Sequence, residues 1–211
     1  YGLFYLIGHV FQYFQNTDSF LNYYLSSPQV FYVIGRMVSV GFGTLTVWVI
    51  YLLGKEYKNA RTGVYAALFL AVCFLHSRDS HFATMDITLV FFMTLSTYFL
   101  LRYFNLGNKR FYFLAILTAG AASAVKYNAF VLVIPIALAY LFTSFDENSR
   151  RDRVGALKTL LLDGALSVFL LVAVFFICSP YVLLDFKSAY QFVTRLYGIN
   201  VGFEISPWHH A

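Results

Sequence analysis

Cysteine and charge are both scarce in this chain, and each scarcity closes off a class of protein. Two cysteines in 211 residues, Cys73 and Cys178, are each set in an apolar run. They predict neither a disulfide framework nor a metal centre. Charged residues make up 12% of the sequence, against roughly 25% in a soluble domain. Proline is rare too, with 4 in all, and two fall at boundaries: Pro28 is placed to open a helix and Pro180 to end one. Basic residues outnumber acidic ones by 15 to 10. Their positions tie that excess to membrane orientation, so a nucleic-acid partner is not expected.

What the chain has in abundance is apolar and aromatic side chains: 60% hydrophobic, 20% aromatic, with a mean hydropathy of +0.67. These residues come in long blocks, the signature of membrane-spanning helices. The first block, 1–14, would reach roughly 21 Å as a helix and suits the membrane interface better than a crossing. Six further blocks follow at 29–53, 64–75, 87–104, 111–125, 129–142 and 160–177. The tail, 180–211, is polar and amphipathic and is placed outside the membrane. The predicted fold class is therefore all-α: a polytopic transmembrane helix bundle of about six spans plus an interfacial helix. Because the chain opens on Tyr1 and stops within "SPWHHA", it is expected to be a piece of a longer protein.

Ten of the 15 Lys and Arg residues fall in alternate turns: Lys55, Lys58 and Arg61; Arg102, Lys109 and Arg110; Arg150, Arg151, Arg153 and Lys158. The positive-inside rule assigns those turns to the cytoplasm. The segments "HSRDSHFATMD" and "VKYN" and the tail then share the outer face. Blocks 64–75, 111–125 and 129–142 would span only about 18 to 22 Å. Short helices ending in polar residues predict a recessed cavity open to the outside.

An ionisable group near hydrocarbon costs several kcal/mol unless paired or wetted, which makes such groups candidates for function. Arg78, Asp79, His81, Asp86 and Lys126 are five of them, on one predicted side. Asp86 reads either as an N-cap for a helix starting at Ile87, a task Thr84 also suits, or as a catalytic carboxylate. Asp79 either pairs locally with Arg78 or shares general-base and orienting work with Asp86. His81 is a structural hydrogen-bonding residue or a substrate contact, and His76 is read as structural. Lys126 closes the small-residue helix "TAGAASAV" and either snorkels or offers its charge to a phosphate. Tyr127 and Asn128, two further hydrogen-bonding side chains, favour the phosphate. Arg36 carries the same two readings. Glu204, His209 and His210 have metal-ligand composition but no zinc-like spacing, so no metal site is assigned.

The segments "YGLFYLIGHVFQYF", "GRMVSVGFGTLTVWVIYLLGKEY", "SHFATMDITLVFF", "AGAASAVKYNAFVLVIP" and "SPYVLLDF" occur in that order. Their order and spacing resemble the polytopic GT-C glycosyltransferases of the protein O-mannosyltransferase and aminoarabinose-transferase type, glycosyltransferase family 39. The resemblance implies transfer of a sugar, mannose or a similar hexose or pentose, from a polyprenyl-phosphate-linked donor. The acceptor would be a protein or lipid on the extracytoplasmic face of the plasma (inner) membrane. It implies a transmembrane domain over 1–179 and the start of a large outer loop over 180–211. The acidic motif that supplies the catalytic base would precede this chain. Asp86 would match the second acidic position and Lys126 would contact the lipid phosphate. The cofactor stays open, since metal dependence varies among such enzymes. A secondary transporter, a non-catalytic scaffold and a lipid-linked glycan ligase or polymerase are the rival readings. Charges clustered at outer helix ends, without an internal repeat, count against the transporter.

Overall fold

The computed structural model describes residues 25–148 and 153–180, together with Asn22 and Val182. The predicted interfacial segment 1–14, and Glu204, His209 and His210, lie outside the described residues.

Among the described residues the structure is helical throughout: seven α-helices and one 3-10 segment, with no strand. Helix α1, Pro28–Tyr57, opens on Pro28, whose missing N–H falls where a helix has no internal partner for it. Lys55 in its last turn complements the helix dipole. Asn59 caps α2, Ala60–Ala71, by accepting a hydrogen bond from the Thr62 backbone N–H at 2.9 Å. After Val72 and Cys73 the chain bends by 59° into α3, Phe74–His81.

Helix α4, Met85–Leu106, stops at Gly107, whose φ of 64° is the left-handed conformation that ends a helix cheaply only at glycine. Its N–H returns to the Tyr103 carbonyl at 2.8 Å. Asn108 then caps α5, Lys109–Val125. A 3-10 segment, Tyr127–Leu132, leads into α6, Val133–Asn148. Pro135 accounts for that segment. A regular helix continued from Tyr127 would set the proline ring against the carbonyl of Val131, so the preceding turns tighten instead. The last element is α7, Arg153–Cys178.

Two expectations from the sequence change in detail. The block 64–75 is not one short span: α2 ends at Ala71, and the polar run "HSRDSH" is itself helical. Backbone-directed side chains close that helix on itself, with Ser80 Oγ donating to the His76 carbonyl at 2.7 Å. Among the described residues three helices are long and apolar enough to cross a membrane: Pro28–Tyr57, Met85–Leu106 and Lys158–Cys178. The bent pair α2–α3 makes up to four. Helix α5, at 17 residues, and the apolar stretch Tyr127–Thr143 are shorter than the roughly 20 residues a full crossing needs.

Helix α5 is the hub, packed between α4 and α7. Its inner face is made of Ala115, Ala119, Gly120, Ala122 and Ser123, all buried. Small side chains let helix backbones approach closely where lipid provides no hydrophobic drive. A Cβ on Gly120 would come to 3.0 Å from the Leu171 carbonyl oxygen of α7. Ser96 of α4 donates to the Ala115 carbonyl at 2.9 Å.

Because successive helices reverse direction, the chemistry-bearing residues separate into two ends. One end holds the first turns of α1, all of α3, the start of α4 and the end of α5. There Gly35 faces Ala83, and Gly43 faces Ser80 and Ile87. The other end holds Glu56, Arg102, Asn105, Lys109 and Asp163, joined by an Arg102–Glu56 ion pair at 3.6 Å, an Asn105–Glu56 hydrogen bond at 3.3 Å and a Lys109–Asp163 ion pair.

Candidate active site

Asp86 is the second residue of α4, in a first turn where the helix dipole favours a carboxylate. It is not the N-cap. Thr84 holds that position and makes no capping hydrogen bond with its side chain. The Asp86 carboxylate turns instead across the bundle and accepts a hydrogen bond from Lys126 Nζ at 2.7 Å. Lys126 is the residue that ends α5, with an extended backbone at φ −151° and ψ 120°, and its N–H still bonds the Ala122 carbonyl. The hydrogen bond that Lys126 donates to Asp86, followed by the negative charge of that carboxylate, raises the Lys126 pKa above the usual lysine value. Both side chains remain open to an incoming group, at 48% exposure for Lys126 and 55% for Asp86.

Tyr127 and Asn128 follow directly and begin the 3-10 segment, both exposed beside the pair. Asp79 takes the local option: it pairs with Arg78 Nε at 2.8 Å within α3. His81 Nδ1 lies 2.7 Å from the Ser77 carbonyl. A carbonyl only accepts, so Nδ1 is the donor in this contact. His76 is structural, as its position implied, with Nε2 at 3.2 Å from the Gly43 carbonyl. That contact anchors α3 to the middle of α1.

Arg36 stands over the Tyr32 ring, 6.0 Å from its centroid. It lines two adjoining grooves along α1. One, of about 320 Å³, is formed with Val33, Met37, Val40, His81 and Phe82. The other, of about 370 Å³, is formed with Pro28, Gln29, Tyr32 and Val33. Arg36 and His81 therefore share a mostly apolar trough with a cationic wall. The eight candidates fall into three local groups at one end: Asp86 with Lys126, Tyr127 and Asn128; Arg36 with His81; and Arg78 with Asp79. Among the described residues no three of His, Cys, Asp and Glu gather closely enough to hold a metal ion. Cys73 and Cys178 are free thiols at the protein surface.

The opposite end holds a polar cluster that the reading of the sequence passed over. Asp163 Oδ2 accepts from both Lys109 Nζ and Tyr140 OH. Alongside, Ser167 Oγ donates to Tyr112 OH at 2.8 Å, and Tyr103 OH lies 2.6 Å from Thr143 Oγ1. The signal was a lone carboxylate inside the apolar run "LLLDGAL", a placement that asks for partners.

The structure is an apolar helical bundle with the eight candidate residues gathered at one end. Residues 31–182 match the model of the dolichyl-phosphate-mannose-protein mannosyltransferase family, and the chain belongs to that family. No curated protein and no solved structure gives a match.

Proposed function

We propose that this glycosyltransferase takes a sugar, mannose or a related hexose or pentose, from a polyprenyl-phosphate-linked donor. It passes the sugar to a hydroxyl of a protein or lipid acceptor at the extracytoplasmic face of the membrane. About six spans, two of them short, would carry the site. The observation that carries this reading is the Asp86–Lys126 pair, which sets a carboxylate and an ammonium group side by side in an open position.

The chemistry asks for both charges. The acceptor oxygen attacks the anomeric carbon while the carbon–oxygen bond to the phosphate breaks. The bonding electrons stay with the phosphate oxygen, where a fixed cation lowers the barrier. The acceptor proton leaves to a carboxylate. Lys126 is suited to the phosphate, with Tyr127 and Asn128 as further donors, and Asp86 is suited to orient the acceptor hydroxyl. Arg36 and His81 would hold the donor along the groove, while Arg78 and Asp79 border the entrance. One displacement inverts the anomeric centre.

The test uses the full-length protein in membranes with a radiolabelled polyprenyl-phosphate sugar. Wild type is expected to transfer label, and Asp86→Asn and Lys126→Ala to lose most of it at equal expression. A wild type that transfers nothing from any such donor would overturn the proposal and bring the transporter reading forward.

A further inference from the structure

We infer that Lys126 is a shared cation, held by Asp86 when the site is empty and taken over by the donor phosphate when it is filled. This rests on the proposed function above and adds that the two contacts exclude each other.

The ammonium group already gives a hydrogen bond to Asp86 Oδ1 at 2.7 Å. A phosphate arriving at Nζ meets a charge that is largely neutralised. It must displace the carboxylate or share the cation with it, and sharing sets two anions side by side. Displacement is inexpensive for three reasons. The pair is half-exposed on both sides, so water stands ready to solvate either partner. Asp86, once released, keeps the favourable field of the α4 N-terminus, and Lys126 keeps that of the α5 C-terminus. Lys126 also sits where the helix has ended, so its side chain can swing without breaking the Ala122 carbonyl bond.

The exchange also has a direction. The bound sugar donor is a phosphodiester with one negative charge. When the bond to the anomeric carbon breaks, the electron pair remains on phosphate oxygen and the lipid phosphate gains negative charge. Its hold on Lys126 therefore grows along the reaction while that of Asp86 does not, which is stabilisation realised in the transition state. Release of Asp86 coincides with the moment the acceptor hydroxyl needs an oxygen to bond.

The ligand chemistry is a phosphate ester, and lipid-borne and free phosphate are distinguished by titrating both. Full-length protein in nanodiscs is titrated with a polyprenyl monophosphate and, separately, with inorganic phosphate. Asp86→Asn should bind the lipid phosphate about two- to fivefold more tightly than wild type, the strength expected of losing one exposed ion pair. The same variant should transfer sugar more slowly. Lys126→Gln should bind more weakly, and Asp86→Asn should bring no gain when Lys126→Gln is already present. Inorganic phosphate should show a fraction of the lipid's affinity. Asp86→Ser serves in place of Asp86→Asn if the latter is not monodisperse. Unchanged or weaker lipid binding in the Asp86 variants, or a gain that survives loss of Lys126, overturns the exchange. Continued sugar transfer by wild type in that case would leave the proposed function standing. A wild type that neither binds the lipid phosphate nor transfers sugar overturns both.

Discussion

Gly54 and Gly63 meet where α1 crosses α2, so closely that a Cβ on Gly54 would lie 2.8 Å from the Gly63 Cα. On Gly63 it would lie 2.4 Å from the Tyr51 carbonyl oxygen. Neither backbone has a flexible end to move. Gly63→Ala is therefore expected to destabilise the protein by about 1–3 kcal/mol, the usual cost of overpacking. A fall in thermal stability in detergent would be the sign, and an unchanged melting temperature would show that the crossing can open freely.

The Asp163 cluster ties α5, α6 and α7 together at the end away from the candidate site. The Asp163 side chain is 15% exposed and Lys109 is 44% exposed, so the pair is only partly desolvated. Asp163→Ala leaves Lys109 and Tyr140 without their acceptor and should cost about 1–3 kcal/mol. Tyr140→Phe removes one hydrogen bond and should cost about 1 kcal/mol. Transfer per folded molecule should hold up in both variants. A collapse of turnover without loss of stability would assign the cluster a part in the reaction.

The pH behaviour follows from the sign of the Lys126 shift. The hydrogen bond to Asp86 and the charge of that carboxylate raise the Lys126 pKa, so the pair's contribution is complete below the unfolded lysine value and lost as pH rises through the folded one. Any alkaline fall in activity that belongs to Lys126 is expected above the usual lysine range. Lys126→Arg should accordingly leave the profile between about pH 6 and 9 unchanged in shape, since both side chains are charged there. A lysine-dependent limb near neutrality would contradict the pairing.

Arg36 is expected to act on the donor and not on the acceptor. Arg36→Ala should raise the KM for the lipid-linked sugar by about tenfold, the scale of one lost charge-assisted hydrogen bond. Arg36→Lys should recover part of that, because it keeps the charge but loses the planar fork over Tyr32. An effect confined to the acceptor KM would move Arg36 out of the donor groove.

Much of this was readable from the sequence because lipid enforces simple rules. Apolar blocks had to be helices, and alternating basic turns sorted their ends. Pro28 and the small-residue run before Lys126 behave as their chemistry demands. Other features depend on distance along the chain. Asp86 and Lys126 are 40 residues apart, and nothing local distinguishes a cap from half of an ion pair. Pro135 lay within an apolar block and its effect on the backbone before it was overlooked. The helicity of "HSRDSH" comes from hydrogen bonds of Ser77, Ser80 and His81 to their own turn and from the seat that Gly43 offers, neither of which periodicity reveals.

Helix α1 is also a ruler. Its 30 residues measure about 45 Å, against roughly 30 Å of hydrocarbon. With Lys55 and Glu56 set at one waterline, the surplus would fall at the Pro28 end. Counting back from Gly54 at 1.5 Å per residue, Arg36 stands about 27 Å away, near the far boundary, and Gly43 about 16 Å away. Gly43 is where His76, Ser80 and Ile87 touch α1. The polar helix α3 and the start of α4 are thus moored short of the Pro28 end, with a shaft of α1 rising past them. Under the proposed function, a hydroxyl acceptor would pass along that shaft, which would favour extended, thin segments over folded surfaces.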